Sequence, residues 1–569
     1  MYSQLLFKKL DLLRFGLLLY AVYGGLLYFY CMHNTVIQYT CLLAIILFSV
    51  MLAQKIKIAY PIVLVLIGLP LGFVPFLRGV EIQPELIFVI FLPPLLYEAA
   101  WNTSWKDFWK WRRVISSFAF PVVILTSCVV AFVSASLIPG FTLATGFLLG
   151  GIISPPDAVS ASAILKTIKV PRRFITIVEG ESLMNDASSL VVFRFALAAV
   201  LTGTFVFQEA ATSFVLVIVM GIAVGILVAL LFYAIHRWLP TSNNMDVVLT
   251  FITPYAMYMA AEQFHFSGVL AVVSGGLFLS FRQQQFLSHR SRLQGVNVWE
   301  AVAFILNGIV FILIGLEFPV IIKNLGPNGL APAIKYSTII TAVLIVTRFA
   351  STFGATVITM VMSKIITVAD PNPGFRAPIL LGWTGMRGVV SLAAALSIPV
   401  ALSPGHPFPN RDMILFMTFS VILVTLVLQG LTLPAVIKLV NMPDPDLAGM
   451  SIEQQRQLVR KKLSHLSLKI LDEDYHEYAK HNGMVKSLKL RYTTDMEFLK
   501  DWEKDDNVER ANDFYKDYRK IMAHLLREQR ALLLTLNKKE NISDTLVRHQ
   551  LELLDLEEEK LRQHFEAGE

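Results

Sequence analysis

The chain has 569 residues, 55% of them hydrophobic and 16% charged, with a mean hydropathy of +0.60. Soluble domains carry about 25% charged residues, so this composition excludes a wholly water-solvated fold. Residues 1–450 hold 27 Lys+Arg against 18 Asp+Glu, while residues 451–569 hold 22 against 24. The net +7 therefore belongs to the apolar part. It reads as basic loops beside a bilayer, not as a nucleic-acid-binding surface.

A helix needs about 20 apolar residues to cross the hydrocarbon. The sequence predicts fourteen such segments, near 13–31, 36–53, 58–76, 84–101, 114–138, 142–166, 174–203, 212–236, 246–263, 267–281, 299–319, 334–362, 377–402 and 412–439. The first follows Lys8 and Lys9 and resembles a signal-peptide core. It lacks a small-x-small cleavage site and is long enough to cross, so it reads as a retained N-terminal helix. Cys31, Cys41 and Cys128 lie in apolar runs without a metal or redox pattern and read as packing residues.

The sixth segment reads GGIISPPDAVSASAIL. Pro155 and Pro156 remove backbone donors and crowd the preceding turn, which predicts a break beside Asp157. Freed carbonyls are tolerated at membrane depth where they line a cavity, and they suit a cation. The seventh begins VEGESLMNDASSLVVF. Helical spacing puts Ser182, Asn185, Asp186 and Ser189 on one face, an oxygen-rich stripe around one ionisable group. Oxygen ligands suit hard monovalent cations, and a buried carboxylate also takes a proton readily. Glu181 points elsewhere round the helix. The thirteenth segment carries Arg387 between Gly385 and Gly388 in an apolar stretch, so it needs a partner, for which Glu181 is the candidate. Glu98, Arg194, Glu262, Glu300, Asn307, Glu317 and Arg348 are weaker signals, several near segment ends.

Sixteen Lys and Arg fall in loops after even-numbered segments and three in the others. The basic side marks the cytoplasm, which puts both termini inside. Residues 441–569 read as a soluble helical tail. Its seams are predicted at Tyr518, Met522, Leu525, Leu532 and Leu536, and at Val547, Leu551, Leu554 and Leu561. No phosphate loop, nucleophile–base pair or metal string appears, so no enzyme and no cofactor is expected.

The strings FLPPLLYEAAW, ISPPDAVSASAIL, EGESLMNDAS, FILNGIVFILIGL and GMRGVVSLAAALSIP resemble the bacterial monovalent cation–proton antiporters related to animal sodium–proton exchangers. The resemblance spans about residues 36–440. It implies an all-α polytopic protein: a 13-helix inverted-repeat core (36–440), the extra N-terminal helix (1–35) and a cytoplasmic helical domain (441–569). The segments at 142–166 and 377–402 would be unwound and cross at the ion site. It further implies a homodimer in the bacterial inner membrane, moving its ion-carrying bundle against a fixed one. Residue by residue, Asp186 is the cation- and proton-binding carboxylate and Ser182 a ligand. Asn185 stands where electrogenic relatives carry a second aspartate, Asp157 belongs to the unwound crossing, and Glu181 pairs with Arg387. Pro156 replaces a common threonine and leaves only its carbonyl as a ligand.

A single titrating carboxylate implies electroneutral one-for-one exchange of sodium, or of potassium or lithium, for a proton, serving pH and sodium homeostasis. The alternatives are potassium as the main substrate, or a sodium-coupled solute symporter.

Overall fold

The computed structural model describes residues 36–76, 87–165, 168, 170–204, 207–365, 370, 374–403, 406–442, 452–504, 508–536 and 544–565. The chain divides into two compact units, Met1–Pro443 and Asp444–Glu569.

The first unit is a helical bundle. Its described helices, in chain order, are α1 (Val36–Ile56), α2 (Tyr60–Leu71), α3 (a π-turn Ile87–Phe91 running into Leu92–Asn102) and α4 (Trp105–Leu137). Next come α5a (Leu143–Ile153), α5b (Ala158–Leu165), α6 (Arg172–Thr202), α7 (Phe207–Trp238), α8 (Asn243–Gln263) and α9 (Gly268–Phe286). The unit ends with α10 (His289–Gly326), α11 (Gly329–Met362), α12a (Arg376–Trp383), α12b (Val389–Leu396) and α13 (Arg411–Val440). A short hairpin, β1 (Ala401–Ser403) with β2 (His406–Pro407), precedes α13.

Among the described residues, eight helices are long and apolar enough to cross a membrane. The segments expected from 36–53 to 412–439 each coincide with a helix or an interrupted pair. The first, 13–31, lies outside the described residues, so the count of fourteen is not established. Two starts differ most: α4 begins at Trp105 rather than 114 and α10 at His289 rather than 299, because in each a serine-capped polar stretch, after Ser104 or Ser288, continues as helix into the apolar run.

Burial orders the bundle. The most apolar windows of α1, α7 and α11 are 28%, 22% and 28% buried, as expected for lipid-facing helices, whereas that of α5 is 83% buried. Small residues set the tight contacts. Gly68 on α2 faces Gly315 on α10 so closely that a Cβ at either position would strike the other's backbone. Ser and Thr caps start α5, α8, α9 and α10, and satisfy amides that lipid cannot.

The second unit comprises α14 (Ile452–Glu473), α15 (His476–His481), α16 (Gly483–Lys504), α17 (Val508–Leu536) and α18 (Asp544–Phe565). α14 packs on α16 and α17 on α18. The α18 seam at Val547, Leu551, Leu554 and Leu561 faces inward. The α17 seam is shifted from expectation: Leu526 is buried, while Tyr518, Leu525 and Leu532 are exposed. Adjacent leucines at 525–526 and 532–534 make the register ambiguous in sequence, and the partner helix selects it.

Candidate ion-binding site

The site lies where two broken helices meet. α5 loses helical geometry at Ser154–Asp157, where Pro155 and Pro156 cannot donate to the turn before them. α12 is interrupted at Thr384–Gly388. The two unwound stretches are joined directly: the Asp157 amide donates to the Met386 carbonyl at 2.7 Å. Gly388 is required by this approach, since a Cβ there would collide with the Asp157 carboxylate.

Breaking a helix in an apolar medium leaves orphan groups at both new ends. The chain supplies a charge for each. The Arg387 guanidinium donates from Nε to the Ile153 carbonyl at 2.9 Å, and from Nη2 to that of Ser154 at 3.4 Å, at the negative end of α5a. It also donates to Gly385 of its own strand. The Asp157 carboxylate accepts from the Val159 amide at 3.2 Å and the Ser160 hydroxyl at 3.3 Å, at the positive end of α5b. Its contact with Gly388, the N-cap of α12b, puts it at a second helix N-terminus.

α6 runs past this crossing and pins it with neutral groups. The Ala158 amide donates to Ser182 Oγ at 3.1 Å, and Asn185 Nδ2 donates to the Pro156 carbonyl at 3.0 Å. Asn185 is fully buried and its Oδ1 has no hydrogen-bond partner. Asp186 is 7% exposed, and among the described residues no hydrogen bond reaches its carboxylate. Ser182, Asn185, Asp157 and Pro156 are thus brought together beside Asp186. The fourth member of the expected stripe, Ser189, bonds back to the Asp186 carbonyl of its own helix and offers nothing to the crossing.

The expected Glu181–Arg387 pair does not form. Glu181 takes a bidentate ion pair from Arg348 of α11, at 2.5 and 2.8 Å, and both side chains are nearly inaccessible. The physical reason is that Arg387 is consumed by carbonyls that the helix break exposes, which a sequence shows only as missing donors. Arg348 also lies over the Phe118 ring, 5.4 Å from its centroid, and donates to the Leu381 carbonyl. Its signal was its depth: it lies well inside the apolar run of α11, far from a snorkelling position. Two further residues escaped the sequence reading. Thr425, in a π-turn of α13 (Thr425–Gln429), accepts from the Arg387 amide at 3.3 Å, and Ser127 donates to Ser154 at 3.1 Å.

Paired broken helices crossing inside an apolar bundle, with a carboxylate free of donors beside them, define a secondary membrane transporter. The chain belongs to the sodium/hydrogen exchanger family, whose transmembrane profile it matches over residues 42–439, and is a transporter rather than an enzyme. It is 35% identical over 436 residues to a sodium, potassium, lithium and rubidium/proton antiporter of Bacillus pumilus, covering 73% of this chain. It spans 63% of that relative's length. It is 32% identical over 537 residues to an uncharacterized sodium/proton exchanger of Mycobacterium tuberculosis, covering 91% of this chain and 95% of the relative. Its fold is shared with the sodium proton antiporter of Methanocaldococcus jannaschii, at TM-score 0.57 and 18% identity, over 72% of this chain and all of that one.

Proposed function

We propose that this chain exchanges a monovalent cation for a proton, one for one, with Asp186 as the group that carries either. The observation that carries the reading is the contrast between its two buried aspartates. Asp157 is occupied as a helix cap; Asp186 receives no hydrogen bond among the described residues and stands beside Asn185, whose Oδ1 lacks a donor. A cation there gains a full charge and neutral oxygens, from Asn185, Ser182 and the unwound backbone around Pro156. A proton neutralises the same carboxylate and removes the reason for the cation to stay. One site that holds one or the other, never both, couples the two fluxes.

Asn185, adjacent to Asp186, adds no second titrating group, which supports electroneutral exchange. Sodium is proposed as the main substrate. Potassium is the second reading, favoured by the name of the Bacillus pumilus relative, which includes both ions. We further propose a homodimer in the bacterial inner membrane, with both termini cytoplasmic. In it the bundle around α5 and α12 would move against the remaining helices, serving pH and sodium homeostasis. The test is cation-induced proton flux in inverted vesicles, with Na⁺, Li⁺ and K⁺ compared across pH. The Asp186→Asn protein should insert normally and show no flux. Retained flux moves the site elsewhere, and sodium-driven movement of a solute without a proton replaces antiport by symport.

A further inference from the structure

Helix α14 of the second unit carries an apolar stripe left exposed among the described residues. Val459, Leu463, Leu466 and Ile470 recur at spacings of four, three and four, and each is between 41% and 61% exposed. The opposite face, with Gln457, Ser464 and Leu471 buried, is the one directed inward. An exposed apolar stripe on a helix held by its other face marks a docking surface.

Charge selects the occupant. Lys462 and Lys469 are exposed and border the stripe on one side, and Arg460, held by Asp495 at 3.1 Å, borders it on the other. Lys469 also lies 3.9 Å from Glu473, an exposed pairing of little strength. The stripe has coiled-coil spacing, with Arg460 at an e position and Lys462 and Lys469 at g: an antiparallel second copy would set Lys462 against Lys469, and a parallel one would leave Arg460 and Lys462 opposite Gln455 and Ser467 with no counter-charge, only Lys469 meeting an acid, Asp474. An anionic lipid surface meets both demands, taking apolar side chains between its headgroups while the lysines reach its phosphates. Chain length permits it: residues 441–451 separate the end of α13 from α14, a reach of at most about 40 Å.

We propose that α14 is an interfacial helix that lies on the anionic membrane surface, apolar stripe inward. The test is hydrogen exchange of the full-length protein in nanodiscs of phosphatidylcholine, with or without phosphatidylglycerol. Amides of α14 should exchange about tenfold more slowly in the anionic discs, and about 0.5 M salt should abolish the difference. The Lys462→Gln/Lys469→Gln and Leu463→Ser/Leu466→Ser proteins should each lose the protection, while α16 amides, which report the folded tail, stay unchanged. Equal exchange in the two lipids overturns the proposal. So does protection that survives salt and the lysine changes, which would point to a second copy or another protein.

Discussion

The Glu181–Arg348 pair is sealed from water, and burying two charges is repaid only when both are present. Glu181→Gln or Arg348→Gln alone should destabilise the protein by about 3–5 kcal/mol. The double change should cost less than the sum, read as thermal unfolding in detergent. Combined with Arg387→Gln, the Glu181→Gln effect should couple much more weakly than with Arg348→Gln, because Arg387 donates to the carbonyls of Ile153 and Ser154 and not to this carboxylate. Strong coupling between Glu181 and Arg387 would restore the pairing that sequence alone suggested. Gly388→Ala places a methyl against Asp157 and should cost about 1–3 kcal/mol, with loss of cation-induced proton flux. A fully active Gly388→Ala protein would mean that the crossing is looser than described.

At the scale of helices, the two interruptions have different origins. That of α5 is legible in sequence, because two prolines remove donors at fixed places. That of α12 has no proline in its unwound stretch, and only the resemblance to known antiporters pointed to it. What holds α12 open is its partner: Met386 gives its carbonyl to Asp157, and Arg387 turns its side chain to α5a. Asp157→Asn removes a charge from two helix N-termini and should cost about 1–2 kcal/mol of stability. Because Asp186 remains, that variant should keep measurable exchange at reduced rate. Complete loss, at wild-type stability, would make Asp157 a carrier of the ion as well.

For the whole molecule, the compact first unit contains every residue of the crossing. A protein ending after residue 442 should therefore retain cation–proton exchange in vesicles; inactivity of a well-inserted truncation would show that the tail completes the transporter. In proteoliposomes, an imposed membrane potential should leave both the exchange rate and the final gradient unchanged. A clear dependence on potential would require a second charge to move with Asp186.

Hydropathy alone located the helices described between residues 36 and 440, since the cost of burying backbone polar groups in lipid leaves long apolar runs almost no other structure. Local chemistry in the sequence also located the break at Pro155–Asp157, near which the structure buries Asp186. The pairing of buried charges was decided by tertiary structure. Arg194, Arg348 and Arg387 share the apolar runs with several acids, Glu98, Asp157, Glu181, Asp186, Glu262 and Glu317 among them, and spacing along one helix cannot tell which of them meet across the bundle. Arg194 went to Glu262, Arg348 to Glu181, and Arg387 to backbone carbonyls. The reason is physical: a charge in a low-dielectric interior is satisfied by whatever polar group the packing brings to it, and packing is long-range information.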